Sequence, residues 1–305
     1  RFFQGSPVID AGNKDAVNLP ENVVFDKDPA GDLRIQGNNI DMGAYEGGEV
    51  PPHYFVDSEA PDGGGGSSWE DAFQHLEDAL QQSTKSEIWV AGRATTYSSR
   101  GNHTSGFAVL GEVQIYGGFV GGELTRSDRN WVENETILTS AIDNYQVVYF
   151  REVDGSVLDG FTIKDGLGKG INIMDGSLLI TNCIIKDNHD SGISNTRGSP
   201  LITNCTISGN GNNNTNGGGI ISGTSGNLLI TGCNISGNTA KFGGGLYFKS
   251  ADVNFPVSIT LTNCTVSGNE ATSRGGGIYY SQWRGTLDVT FINSIVWGNY
   301  QGSNP

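Results

Sequence analysis

Leu178-Leu179-Ile180-Thr181-Asn182-Cys183-Ile184-Ile185-Lys186-Asp187-Asn188 is the stretch on which the reading of this chain turns. Apolar and polar residues alternate along it, the period of two expected of a strand with one buried face. Asn182 interrupts the alternation, and asparagine tolerates the left-handed backbone that a sharp bend needs. Two short strands joined by a one-residue bend are therefore expected. The phrase returns as PLITNCTISGN (200–210), LLITGCNISGN (228–238), ITLTNCTVSGN (259–269) and VTFINSIVWGN (289–299), and residues 156–166 are an earlier variant. Aligned on Phe161, Cys183, Cys205, Cys233, Cys264 and Ser294, the copies lie 22, 22, 28, 31 and 30 residues apart. A phrase at that spacing signals a solenoid in which each copy is one coil.

A third strand follows a second corner rich in glycine and asparagine. It begins at Gly170-Ile171, Gly192-Ile193, Gly219-Ile220, Gly245-Leu246 and Gly277-Ile278. Three strands and three corners close a coil, and stacked coils place like residues over like, about 4.8 Å apart. The sequence thus predicts an all-β chain, a right-handed parallel β-helix, the hand following from that of parallel crossovers. The longer steps predict loops at corners, such as 209–216 and 249–256. The four cysteines share one inward position in consecutive coils. Parallel in-register neighbours suit disulfide geometry poorly, so free thiols are expected there.

The 46 glycines match the many corners the phrase demands rather than disorder. With 18 Lys and Arg against 33 Asp and Glu, the net charge of −15 argues against nucleic acid or an anionic membrane as partner. No run reaches the ~18 apolar residues of a membrane-spanning helix.

Ahead of the repeats, Trp69, Ala72, Phe73, Leu76, Ala79 and Leu80 fall on one helical stripe, with Ser67 and Glu70 as a capping box. A capping helix over about residues 68–82 is expected to close the amino-terminal end of the solenoid, which would otherwise expose apolar side chains and strand edges. Tyr54-Phe55-Val56-Asp57, Gly66-Ser67-Ser68-Trp69, Ile88-Trp89-Val90-Ala91-Gly92 and Ile115-Tyr116-Gly117-Gly118-Phe119 resemble the opening of large bacterial surface β-helix proteins of the pectate-lyase-like superfamily. The Gly217-Gly218-Gly219-Ile220 and Gly275-Gly276-Gly277-Ile278 corners are similar to repeats of polymorphic outer-membrane proteins. The resemblance spans most of residues 54–299 and implies the fold. The fold hosts lyases, hydrolases, adhesins and stalks, so it implies function only weakly.

Residues 1–48 form a separate part, divided from the β-helix of residues 54–305 by Pro51-Pro52. Ser6-Pro7-Val8-Ile9-Asp10-Ala11-Gly12-Asn13 and Asp41-Met42-Gly43-Ala44-Tyr45-Glu46 resemble the segment that closes such β-helix units. In that family it follows a coil like Asn293-Ser294-Ile295-Val296-Trp297-Gly298-Asn299; here it comes first. Three arrangements compete: a window cut from a tandem array, a subunit whose leading segment completes its neighbour head-to-tail, or a segment packed back on its own chain. In the second, Val8, Ile9, Tyr45, Ile295 and Trp297 are the expected contacts between copies.

Asp26-Lys27-Asp28-Pro29-Ala30-Gly31-Asp32 resembles the start of a calcium loop, making Asp26, Asp28 and Asp32 candidate ligands; position twelve is Gly37 instead of the bidentate glutamate. For catalysis, lyases of this superfamily imply acidic calcium ligands plus a base. Asp165 and Asp187 beside Lys164 and Lys186 are the only stacked charged pairs in the phrase, and a two-coil salt-bridge patch is the expected reading. Tyr247, Tyr279 and Trp283 near the last coils are candidate glycan contacts, with buried packing as their other role. The expected function is an extracellular or cell-surface structural protein, a repeat unit or subunit of a surface filament or of a giant surface protein, joined head-to-tail through its leading segment. The alternative is a polysaccharide-active enzyme or glycan-binding adhesin module.

Overall fold

The computed structural model describes residues 53–82, 85–100, 106–140, 146–223, 226–250, 257–282 and 286–302, which belong to one compact unit, Pro52–Pro305. Asp26, Asp28, Asp32, Val8, Ile9, Tyr45 and Trp283 lie outside the described residues.

The chain winds into a right-handed parallel β-helix of three long sheets. The first holds nine strands, running along the axis from His53–Val56 and Ser86–Ala91 to Val257–Thr262 and Leu287–Ile292. The second holds eight, from Tyr97–Ser99 to Ile295–Trp297, and the third seven, from Phe107–Val109 to Ile278–Gln282. Pairing is parallel and in register, so that Ile180, Ile202, Ile230 and Leu261 lie over one another. Each is fully buried. Burying such a side chain contributes about 1.5–3 kcal/mol, and the column repeats on every sheet.

The bend read from the phrase is present. Asn182, Asn204, Asn263 and Asn293 have φ of 52°, 53°, 53° and 47°, and Gly232 takes the position with φ 64° in the coil that lacks the asparagine. The thiols of Cys183, Cys205, Cys233 and Cys264 are free and buried in one column. Cys183 Sγ donates to Thr181 O at 3.1 Å, and the Cys205 amide donates to Cys233 Sγ at 3.4 Å. Ser294 continues the column, its Oγ accepting from the Cys264 amide at 3.1 Å. Hydrogen bonding with the Cys183 and Cys233 side chains, together with burial, holds the Cys205 thiol well above its ordinary range.

A second column was not anticipated. The asparagine that ends each copy turns inward: Asn188, Asn210, Asn238 and Asn269 are buried and linked side chain to side chain with Asn299. The Nδ2 of each donates to the Oδ1 of the next at 2.9, 3.0, 2.9 and 2.9 Å. The main-chain amide of each donates to that same oxygen, and Nδ2 also reaches a carbonyl of the preceding coil, as from Asn238 to Ile207 O at 2.9 Å. Every polar atom of a buried amide is thereby used, which is the condition for keeping it in an apolar interior.

Two expectations change. The extra residues of the longer coils are not all loop, because Thr239–Phe242, Glu270–Arg274 and Tyr300–Gln301 pair as a fourth, three-stranded sheet. The capping helix is also shorter than residues 68–82, spanning Leu76–Gln82. Phe73 is held extended against the first strand, its amide donating to Phe55 O and its carbonyl accepting from the Asp57 amide, both at 2.9 Å. Asp71 gathers the Gly65 amide and the Ser67 hydroxyl into a turn, so Ser67 and Glu70 make no capping box. The helix still seals the first coils: Leu76 and Ala79 are buried in the core cluster.

Candidate functional site

Two places on this shaft depart from a uniform ladder. The first is the outward face of the first sheet near the helix. Register aligns His53 with Glu87 and Gln114, and Phe55 with Trp89, Tyr116 and Asp159. The segment after Phe119 carries Arg126 and Arg129 back over these rows. The Arg129 side chain is only 7% exposed and donates to Gly117 O at 2.9 Å, to Asp159 O at 3.2 Å and to the Asp159 carboxylate. Its guanidinium lies 5.1 Å from the Tyr116 ring centroid and 4.8 Å from that of Trp131. Asn182 Nδ2 completes Asp159 at 2.8 Å. With all these partners, Arg129 is a strut tying the segment to the sheet.

Arg126 is placed differently. Its Nη1 donates to the Tyr116 hydroxyl at 2.7 Å and lies 3.6 Å from Glu87 Oε1, while 42% of its side chain is exposed. Glu87 is buried and accepts from Trp89 Nε1 at 2.7 Å, with His53 Nε2 3.8 Å from its other oxygen. Burial pushes the Tyr116 hydroxyl up to about 12, so it stays a proton donor, here to Gln114 Oε1 at 3.0 Å. The patch presents a guanidinium beside aromatic rings on a polar floor. That geometry suits a carboxylate-bearing or ring-shaped ligand. The sequence carried no periodic signal for it, because its basic residues come from a segment between strands.

The second place is the last rung. Phe291 and Val296 lie in register over Leu261 and Val266 and belong to the axis-facing columns, yet they are 43% and 47% exposed, whereas Leu261 and Val266 are fully buried. Asn299 ends the ladder: Asn269 donates to its oxygen, and among the described residues no acceptor stands over its own main-chain amide. Ile295 and Trp297, the expected contacts on this rung, continue the outward rows of Thr265 and Ser267 and stand 61% and 68% exposed. They therefore flank the end, while Phe291 and Val296 face out of it.

The remaining candidates are distributed as follows. Tyr247 is buried and stacks on Tyr279 at 5.8 Å, with Phe242 5.3 Å from Tyr279. Together they close a packing cluster. Asp165 and Asp187 occupy left-handed corners with φ of 55° each, where later coils have glycine. Lys164 pairs with Asp165 at 3.2 Å. Among the described residues no group of three or more His, Cys, Asp or Glu is placed to hold a metal. No helix among them is long and apolar enough to cross a membrane.

Stacked parallel coils with inward ladders define a class of solenoid, and comparison with known proteins gives the same class. The chain belongs to the right-handed beta helix region family, whose model matches residues 81–215 and 148–304. Among solved structures it is similar to the pectate lyase Pel9A, at 11% identity over 85% of this chain and 79% of that one, with a TM-score of 0.52. It is also similar to a pectin methylesterase from Aspergillus niger, at 15% identity over 85% and 92% of the two chains, with a TM-score of 0.47. At such identities the likeness is one of fold. A search of curated proteins gives no match.

Proposed function

We propose that this protein is an extracellular structural unit, a stiff shaft joined head-to-tail to its neighbours through the last rung. The observation that carries the reading is the asymmetry of the ends. Leu76 and Ala79 of the helix seal the first coils, while Phe291 and Val296 stand 43% and 47% exposed among the described residues of the rung farthest from it. An open parallel edge templates another strand, and a heterologous contact of that kind propagates into a filament. Residues 1–48, similar to closing segments of bacterial surface β-helix proteins, are the joining part. Calcium at Asp26, Asp28 and Asp32 would stiffen the joint. Negative-stain microscopy of the purified protein over a concentration series tests the reading. Rods that lengthen with concentration support it, and single particles of one length at every concentration overturn it.

A second reading, a polysaccharide-binding or polysaccharide-active module, draws on the half-exposed Arg126 guanidinium, 4.5 Å from the centroid of the Tyr116 ring. Acidic sugars are the class such a patch would hold. Retention of the protein on a uronate polymer, lost in Arg126→Ala, would favour it; equal retention of both would remove it.

A further inference from the structure

One row on the outward face of the first sheet departs from the alternation that governs its strands. Gln114, Val157, Leu179, Leu201, Leu229 and Thr260 stand in register on successive coils. Ile180, Ile202 and Ile230, each one residue further on, are fully buried and face the axis. The pleat therefore turns Leu179, Leu201 and Leu229 outward, where a strand with one buried face carries polar residues. Leu201 and Leu229 stand 38% and 47% exposed. The row is aliphatic over four coils and polar at both ends.

Uncharged side chains border the three leucines in a chain of net charge −15. Thr181, Thr203 and Thr231 form the next outward row, and two residues before each leucine stand Ser177, Ser199 and Asn227. At its Gln114 end the stripe runs into the patch that carries Arg126. Val157 packs against the cluster of Trp89, Tyr116 and Phe119. The Arg126 guanidinium lies 4.5 Å from the Tyr116 ring centroid, with 42% of the side chain exposed. Asp159, the acid beside Val157, is engaged by Arg129 and by Asn182 Nδ2.

A half-exposed cation at the head of a narrow aliphatic row in an uncharged surround fits an acid group on an extended hydrocarbon chain. We propose that a long-chain carboxylic acid lies along the axis from Val157 to Leu229, with its carboxylate paired to Arg126. Gln114 to Leu229 is four coil steps, roughly 19 Å at ~4.8 Å per step, which an extended chain of about 15 methylenes spans. An open sheet face covers one side of such a chain, so each methylene should contribute about two-fold in affinity, half the free energy of full burial. The proposal rests on the second reading above only for the anion-holding role of Arg126, and it names a different ligand class.

Calorimetric titration of the full chain with octanoate, dodecanoate and hexadecanoate, each below its micelle-forming concentration, tests this. Affinity should rise about two-fold per methylene from octanoate to dodecanoate. A variant with Leu201→Ser and Leu229→Ser, both at partly exposed positions, should bind dodecanoate about ten-fold more weakly. Arg126→Gln should remove the preference for dodecanoate over dodecanol. Dodecanoate binding that is absent in wild type, or unchanged in the double serine variant, would overturn the proposal. Retention on a uronate polymer alongside that failure would leave the acidic-sugar reading standing, and failure of both ligands would overturn both. Wild-type self-association abolished in the double serine variant, without dodecanoate binding, would assign the stripe to a second copy and overturn the proposal.

Discussion

Asn269 and Asn299 are joined twice: Nδ2 and the main-chain amide of Asn269 both donate to Asn299 Oδ1, at 2.9 and 3.0 Å. One side-chain oxygen thus satisfies two donors of the coil before it. Because the same pair of bonds recurs between Asn238 and Asn269, the ladder couples coil to coil along the axis.

Removing an inner member should therefore cost more than removing the last. Asn238→Ala strips acceptors from Asn210 and leaves Ile207 O without its donor in a buried setting, each group costing about 1–3 kcal/mol. Asn299→Ala exposes the same kinds of group to water and should cost less than half as much. Urea unfolding of the two variants decides it, and equal losses would contradict the account.

The corners differ in what they tolerate. A Cβ on Gly244 would lie 2.2 Å from Glu270 O and 2.5 Å from Gly276 O, both backbone atoms of the next coil. Gly244→Ala should destabilise by about 1–3 kcal/mol or more. Gly237 has φ +65° but open space around its Cα, and Asp187 adopts φ 55° at the same place two coils earlier. Gly237→Asn should stay within about 1 kcal/mol of wild type by thermal unfolding.

The thiol column is sealed. Cys183, Cys205, Cys233 and Cys264 are buried, and Cys205 is held in its protonated form. A thiol reagent should find no reactive cysteine in the native protein and all four after denaturation. Rapid labelling of the native protein would contradict the packing.

Acid sensitivity should trace to Asp57. Burial works against its ionisation, but hydrogen bonds from Arg93 and the Glu59 amide outweigh that and hold it below its usual 3.8. A carboxylate depressed on folding stabilises fully above the unfolded value, and that stability is lost as pH falls through the folded one. Arg93→Met should therefore be less stable than wild type at neutral pH, with the gap closing below about pH 3.8. A gap independent of pH would assign the loss to packing instead.

Much of this fold was legible because its constraint is periodic. Asn182, Asn204, Asn263 and Asn293 announced the bend, with Gly232 in place of the asparagine in one coil, and Gly170, Gly192 and Gly219 marked the third strand, since each position returns coil after coil. The inward turn of Asn188 and its successors was missed because a corner asparagine reads as a turn residue until the stack shows it bonded along the axis. The fourth sheet was missed because insertion length alone does not tell a loop from a strand. Helical periodicity over residues 69–80 was overridden at Phe73 by pairing with the first strand. Arg126 and Arg129 gave no signal, because only the fold brings their segment back over Tyr116. At the end of the stack, aromatic character drew attention to Trp297, whereas the pleat assigns the axis to Phe291 and Val296.

The central claim, that the rung from Leu287 to Gln301 is the joint between copies, is tested most directly by hydrogen exchange at rising protein concentration. Edge amides of that rung, Asn299 foremost, should gain protection as concentration rises, while those around Ile180 and Ile202 stay unchanged. Exchange at Asn299 that is the same at every concentration would contradict the claim.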